Sequence, residues 1–286
     1  MMRLQILAEF SCFLLTIGFV FQGASGTGLV IGNPLIVGGD NATVGEFPYQ
    51  VSIKVWEVNN ISLNMHFCGG FIVDELHVVT AAHCLRDFPV TLMEVVAGAS
   101  NMKVNESTQQ YRDLRRGVMH PLYNRTTSSH DAGVITLAEP LEWTEWVQPI
   151  PLRPVGTPLP EMIRCVNTGW GSSHPDGISF PLPDVLQKVE LVTYPWEFCR
   201  QAYQDDKNVD ESMMCAGWPF EDGHGACSGD SGGPLVCFED GVTPQLAGIV
   251  SWGPVLPCGL AAFPGVFADV SHPTVGAFLA EEIARP

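Results

Sequence analysis

Gly229-Asp230-Ser231-Gly232-Gly233-Pro234 is the stretch on which the reading of this chain turns. Glycines on either side of a serine let the backbone turn tightly, so that successive N–H groups face one small space. Such a space suits the oxyanion formed when a serine hydroxyl attacks a carbonyl, with the amides of Gly229 and Ser231 as its donors. The hydroxyl is a weak nucleophile at neutral pH and needs a base. Two upstream segments supply partners. Thr80-Ala81-Ala82-His83-Cys84 brings an imidazole, and His130-Asp131-Ala132-Gly133-Val134-Ile135-Thr136-Leu137 brings a carboxylate. His83 is the candidate base that takes the Ser231 proton and returns it to the leaving amine. Asp131 is the candidate that holds the opposite ring nitrogen. Alone, His83 reads as a core histidine and Asp131 as a strand-edge turn residue; the three together point to nucleophilic acyl transfer. The other seven of the eight histidines have no such context and read as surface or packing residues.

With Ile36-Val37-Gly38-Gly39, these segments resemble the chymotrypsin-like (trypsin-fold) serine proteases. Cys68-Gly69-Gly70, Thr168-Gly169-Trp170-Gly171, Ser251-Trp252-Gly253 and Pro264-Gly265-Val266 extend the resemblance from Ile36 to about Ala284. It implies two six-stranded antiparallel β-barrels with the active site between them, and a catalytic triad of His83, Asp131 and Ser231. One departure is Gly133, which interrupts an aliphatic run and is expected to weaken that strand by roughly 0.5–1 kcal/mol relative to alanine.

The pattern along the chain agrees with an all-β fold. Short apolar runs at Tyr49–Val55, Phe71–Val73, Glu94–Val96, Val189–Val192 and Leu246–Ser251 lie between Gly, Pro, Asn and Asp clusters. The Pro-rich stretch Pro149–Pro154 resembles a crossover between barrels, placing His83 and Asp131 on the first and Ser231 on the second. The segment Trp56–Met65 reads as a long loop. From Ser271 the pattern predicts a packing helix, with Ser271 as N-cap, Pro273 early, and apolar Val275, Phe278, Leu279 and Ile283.

Residues 1–25 read as a secretory signal, with Arg3 at the start, an apolar stretch Phe13–Phe21, and small residues at Gly23-Ala24-Ser25-Gly26. The apolar run is shorter than the ~20 residues a spanning helix needs. The chain then divides into a propeptide of residues 26–35 and a protease domain of residues 36–286. Cys12 falls in the signal and leaves eight of the nine cysteines, for which sequence alone allows about 105 pairings. The resemblance implies Cys68–Cys84, Cys165–Cys237, Cys199–Cys215 and Cys227–Cys258. Asn41, Asn60, Asn105 and Asn124 head Asn-x-Ser/Thr sequons and are candidate glycan acceptors. A formal net charge of −17 argues against nucleic acid and anionic membrane as partners. The resemblance instead implies protein or peptide substrates, protein protease inhibitors and a secreted monomer. The loop after Gly98 holds Glu106 as its only carboxylate, too few oxygens for calcium. No metal and no cofactor are expected.

Asp230, beside the nucleophile, needs a cation if it is buried. The resemblance implies the α-amino group of Ile36, freed by a cut after Leu35, so the uncut chain is expected to be a weakly active zymogen. Asn33-Pro34-Leu35 lacks the basic residue that usually precedes such a cut. The substrate pocket accounts for this. Gly225, six residues before Ser231, stands where a trypsin-like enzyme carries aspartate; Ala226 follows it, Gly253 and Gly265 occupy the walls, and Ser251 and Trp252 complete the set. An uncharged, open pocket admits bulky apolar residues such as Phe, Tyr, Leu or Met. Leu35 fits it, so activation by the enzyme itself or by a sister enzyme is expected. Asp222 lies near in sequence but out of register for reading basic residues. The loop Pro254-Val255-Leu256-Pro257 borders the entrance and leaves elastase-like preference as an alternative. A catalytically silent binding protein on the same fold is the remaining one.

Overall fold

The computed structural model describes residues 37–58, 61–174, 182–204, 209–254 and 257–285. The signal, the propeptide, Leu35, Ile36 and Asn60 lie outside these residues. Among the described residues, thirteen strands and three α-helices follow in order: β1 (Asp40–Asn41), β2 (Gln50–Val58), β3 (Ile61–Ile72), β4 (His77–Thr80), α1 (Ala82–Arg86), β5 (Met93–Ala97), β6 (Gln110–Met119), β7 (Gly133–Leu137), β8 (Arg164–Gly169), β9 (Gln187–Thr193), α2 (Trp196–Ala202), β10 (Met213–Gly217), β11 (Pro234–Cys237), β12 (Gln245–Trp252), β13 (Gly265–Asp269) and α3 (Pro273–Ile283). Strands β2-β3-β4-β7-β6-β5 close into one antiparallel barrel. A second closes as β8-β9-β10-β13-β12-β11, with β1 added alongside β9. The predicted all-β, two-barrel architecture is the one observed.

The first barrel follows from side-chain alternation. On β2, Val51, Ile53 and Val55 point into the core, while Gln50, Ser52 and Lys54 take the opposite face. That polar face is buried as well, and at Gln50 it meets the second barrel, where Thr168 Oγ1 donates to Gln50 Oε1 at 2.6 Å. The described residues of Trp56–Met65 are strand rather than loop. Strand β2 pairs with β3 from Gln50↔Phe71 out to Val58↔Ile61, with two register shifts. Bulges absorb the extra residues that the sequence pattern suggested were unpaired.

Gly133 also reads differently in three dimensions. An added Cβ there would lie 2.8 Å from Leu85 Cδ1 of α1 and 3.3 Å from the Val118 carbonyl. The glycine makes room for the helix that carries His83 rather than merely weakening β7. Between the barrels, Ile150 N–H donates to Ile72 O and Arg153 N–H to Leu246 O, so the Pro-rich segment is the crossover. The C-terminal helix buries Val275, Phe278 and Leu279. Its N-cap, however, is His272 and not Ser271, whose hydroxyl turns back to the Asp269 carboxylate at 2.8 Å.

All four disulfides implied by the resemblance are formed. On chain entropy alone, the 72-residue separation of Cys165–Cys237 stabilises by about 4 kcal/mol and the 16-residue separation of Cys68–Cys84 by about 3 kcal/mol. The latter ties β3 to α1 and so anchors His83.

Candidate active site

His83 sits on α1, Asp131 just before β7, and Ser231 just before β11, so two loops of the first barrel face one of the second. The Ser231 turn is pressed against the first barrel. Gly69 N–H donates to Ser231 O at 2.8 Å. Gly232 adopts φ +77°, and an added Cβ there would stand 2.1 Å from Thr80 Oγ1 and 2.7 Å from Gly69 O. Gly229, at φ +102°, is similarly blocked by the Gly171 Cα at 2.9 Å. Only glycine satisfies both the backbone angle and the contact.

Asp131 is buried and accepts three hydrogen bonds. Its Oδ1 takes the His83 backbone N–H at 2.9 Å, and its Oδ2 faces His83 Nδ1 at 2.7 Å. The Ser251 hydroxyl donates to the same Oδ2 at 2.6 Å. Because the carboxylate is acceptor-only when ionised, Nδ1 carries the proton and Nε2 is left free to accept one. Ser251, read from sequence as a pocket residue, therefore also fixes the aspartate. It lines the same cavity as Ser231.

That cavity has a volume of about 250 Å³. Gly225, Ala226, Ser251, Trp252, Gly253 and Gly265 all line it, with Leu260, Phe263 and Phe267 adding apolar surface. Among the described residues that line it there is no carboxylate, lysine or arginine. An added Cβ on Gly253 meets nothing within 4 Å, so this wall is open, whereas one on Gly225 would sit 3.1 Å from Gly259 Cα. The base is thus closed by backbone rather than by a charged side chain. His224 lines the cavity, but its ring packs toward Gly38 and Trp218. Asp222 does not line it; its carboxylate accepts the Ala261 N–H at 2.8 Å. Val255 and Leu256 of the entrance loop lie outside the described residues.

Asp230 is fully buried and accepts N–H bonds from Gly171 at 2.8 Å and Cys227 at 2.9 Å. Burial pushes its carboxyl up to about 6 despite those bonds. The glycines of Thr168-Gly169-Trp170-Gly171 exist for this carboxylate: an added Cβ on Gly169 or Gly171 would collide with it.

His66 corrects the reading of the remaining histidines. Its Nε2 donates to the Gly229 carbonyl at 2.9 Å, its Nδ1 meets Ser52 Oγ at 2.8 Å, and its ring edges onto Trp170. A carbonyl only accepts, so the proton is on Nε2 and Nδ1 takes the Ser52 hydroxyl. Desolvation pushes this imidazole down to about 4, and it stays neutral at pH 7. Nothing in its sequence neighbours announced the role, because its partner is 163 residues away. For such a base the unfolded chain binds the proton first, so its stabilising contribution is complete above pH 6.5 and is lost as pH falls toward 4. His66→Gln is expected to flatten the fall in unfolding free energy between pH 6.5 and 4 by up to one proton, measured by urea titration at several pH values.

The other candidates are simply placed. Asn41, Asn105 and Asn124 are exposed. Glu106 uses its carboxylate on the N–H groups of Ser100 (2.7 Å) and Asn101 (3.1 Å), which closes the loop after Gly98 on itself. No helix among the described residues is long and apolar enough to cross a membrane.

Comparison with known proteins adds the following. The family model described as trypsin matches residues 36–275. Trypsin-1 of Astacus astacus is 37% identical over 240 residues, covering 83% of this chain and 96% of that protein. Trypsin of Phaedon cochleariae is 32% identical over 271 residues, covering 92% and 95%. Transmembrane protease serine 9 of Rattus norvegicus is 36% identical over 239 residues, which is 83% of this chain but 21% of that protein.

Proposed function

The chain belongs to the trypsin family of serine proteases, and from that premise we propose a secreted endopeptidase, made as a zymogen, that cuts after bulky apolar residues. Peptide hydrolysis itself follows from the family. One observation carries the specificity: Ser231 lines a cavity with no charged wall, open at Gly253 and closed at its base by Gly225 against backbone.

In the mechanism proposed, Ser231 attacks the scissile carbonyl while His83 Nε2 accepts its proton. Asp131, held by the Ser251 hydroxyl, keeps the imidazole in the competent tautomer and stabilises the imidazolium. The amides of Gly229 and Ser231 receive the developing oxyanion. His83 then protonates the leaving amine, and water repeats the sequence on the acyl-enzyme. His66 and Asp230 support this from below, one through the Gly229 carbonyl and the other through the Cys227 amide. The Ile36 α-amino group, released by cleavage after Leu35, pairs with Asp230 in the active form.

The test uses processed enzyme and matched peptides that differ only before the scissile bond, as Phe, Leu, Ala or Arg. Phe and Leu are expected to turn over fastest. Gly253→Val, which puts a branched side chain into open space, is expected to shift relative kcat/KM toward Ala, roughly 10- to 100-fold. Preference for Arg would overturn the pocket reading. An Ala preference already present in the wild type would favour the elastase-like alternative, and no turnover with any peptide would favour a silent binding protein.

A further inference from the structure

The turn that presents Asp131 is held from the other barrel. Ser128 and His130 stand at φ +60° and +54°, a left-handed region that few residues with a side chain adopt. Two such residues within three positions persist only where their surroundings fix them. For His130 those surroundings reach every polar atom it has.

Its ring is fully partnered. Nδ1 lies 2.7 Å from Ser129 Oγ, and Nε2 lies 2.9 Å from Thr274 Oγ1 on α3, itself 3.0 Å from His272 Nδ1. One proton per pair satisfies the row: Ser129 donates to Nδ1, Nε2–H donates to Thr274, and Thr274 donates to His272. The His130 carbonyl accepts the Ala132 N–H at 2.8 Å. Its backbone N–H donates to Ser212 Oγ at 3.0 Å.

Ser212 belongs to the second barrel. It immediately precedes β10, is 1% exposed, and takes the Asp269 N–H on its own carbonyl at 2.9 Å. Asp210 Oδ1 accepts both the Ser212 N–H at 2.9 Å and the Ser212 hydroxyl at 2.5 Å. With its proton committed to that carboxylate, Ser212 Oγ meets the His130 N–H as a pure acceptor. Asp210 thus orients a hydroxyl, and the hydroxyl orients a peptide.

His130 is joined directly to Asp131. Rotation of its backbone out of the left-handed region swings the Asp131 Cα, and with it the Oδ2 that meets His83 Nδ1 at 2.7 Å. Ser251 and the His83 backbone N–H grip the carboxylate itself, whereas Ser212 fixes the chain behind it. Misplacement by about 1 Å can slow a catalysed step roughly 100-fold.

We propose that Ser212, oriented by Asp210, is a positioning residue for peptide hydrolysis. Its hydroxyl reaches across from the second barrel and locks the His130 peptide in the conformation that aims Asp131 at His83. Ser212 does not line the cavity beside Ser231. The proposal rests on the reading of His83, Asp131 and Ser231 as the catalytic set.

The test uses processed enzyme with Ser212→Ala and Ser212→Thr, each checked by a thermal melt. Ser212→Ala is expected to lower kcat roughly 10- to 100-fold with KM within twofold, and Ser212→Thr, which keeps the hydroxyl, to restore most of it. A second readout is the low-field proton resonance of the His83 Nδ1–H shared with Asp131, identified by its loss in Asp131→Asn. It is expected to move upfield in Ser212→Ala and to return in Ser212→Thr. Should Ser212→Ala misfold, Asp210→Ala at a half-buried position removes the acceptor that orients the hydroxyl, with a smaller loss of kcat expected. Normal kcat in these variants, or a loss with the proton resonance unmoved, overturns the proposal. If Ser231→Ala is inactive while Ser212→Ala is normal, the positioning role alone falls; if Ser231→Ala stays active, the catalytic set falls and this role with it.

Discussion

Asp131→Asn is expected to slow turnover by about four orders of magnitude while leaving the fold intact. The carboxylate accepts from the His83 backbone N–H, from His83 Nδ1–H and from the Ser251 hydroxyl, all at 2.6–2.9 Å. An amide of the same shape has one acceptor oxygen and one NH₂ for three donors. If the NH₂ faces the ring, Nδ1 must accept, the proton moves to Nε2, and the nitrogen that should deprotonate Ser231 is blocked. KM is expected to change little, because the cavity that receives the side chain before the scissile bond contains no atom of Asp131. Ser251→Ala is the control for a merely local effect. It removes one of three donors, about 1 kcal/mol and hence roughly tenfold or less. Steady-state kinetics with a thermal melt of each variant decides the matter. A loss for Asp131→Asn as small as that for Ser251→Ala would show that His83 does not depend on this carboxylate.

Asp230→Asn is expected to act in opposite directions on the two forms of the chain. In the described residues its buried carboxylate meets only backbone N–H groups, and burial raises it to about 6 from an ordinary 3.8. The folded chain therefore keeps a proton that the unfolded chain releases between those values. Its contribution to stability is complete below pH 3.8 and is lost as pH rises through 6, by up to about 3 kcal/mol at about 1.36 kcal/mol per pK unit. Uncut Asp230→Asn is expected to lack that decline in urea unfolding between about pH 4 and 7. In the processed enzyme the same change leaves the proposed Ile36 α-amino group without its counter-charge. It also turns an NH₂ toward one of the Gly171 and Cys227 amides. The donors at Gly229 and Ser231 then lose their support, and turnover is expected to slow by roughly 100- to 1000-fold. Processed Asp230→Asn with activity within a few-fold of wild type would remove the ion pair from the mechanism. The pH slope assigned to His66 has the opposite sign, so the two variants separate the contributions.

Legibility in the sequence follows the range of the interactions. Alternation on β2, the apolar runs of β5, β9 and β12, and the apolar face of α3 are local signals, since a strand or helix shows its periodicity within a few residues. The glycines around Ser231 were legible for the same reason: a tight turn must be written in adjacent positions. His83, Asp131 and Ser231 could be named together only because each sits in its own recognisable segment.

What tertiary structure alone decided involves partners far apart in the chain. His66 gains its role from Gly229, 163 residues on, and Ser251 from Asp131, 120 residues back. Gly133 is a space for Leu85, and Gly169 and Gly171 are spaces for the Asp230 carboxylate. The meeting of His120, His130 and His272 needs α3 folded back beside the turn before β7. A hydrogen bond or a steric gap leaves no periodic trace in either segment, because its geometry arises only when the barrels close and pack. The sequence determined the family and most of the elements and pointed to Ser231 as the nucleophile; packing determined which neutral side chains surround it.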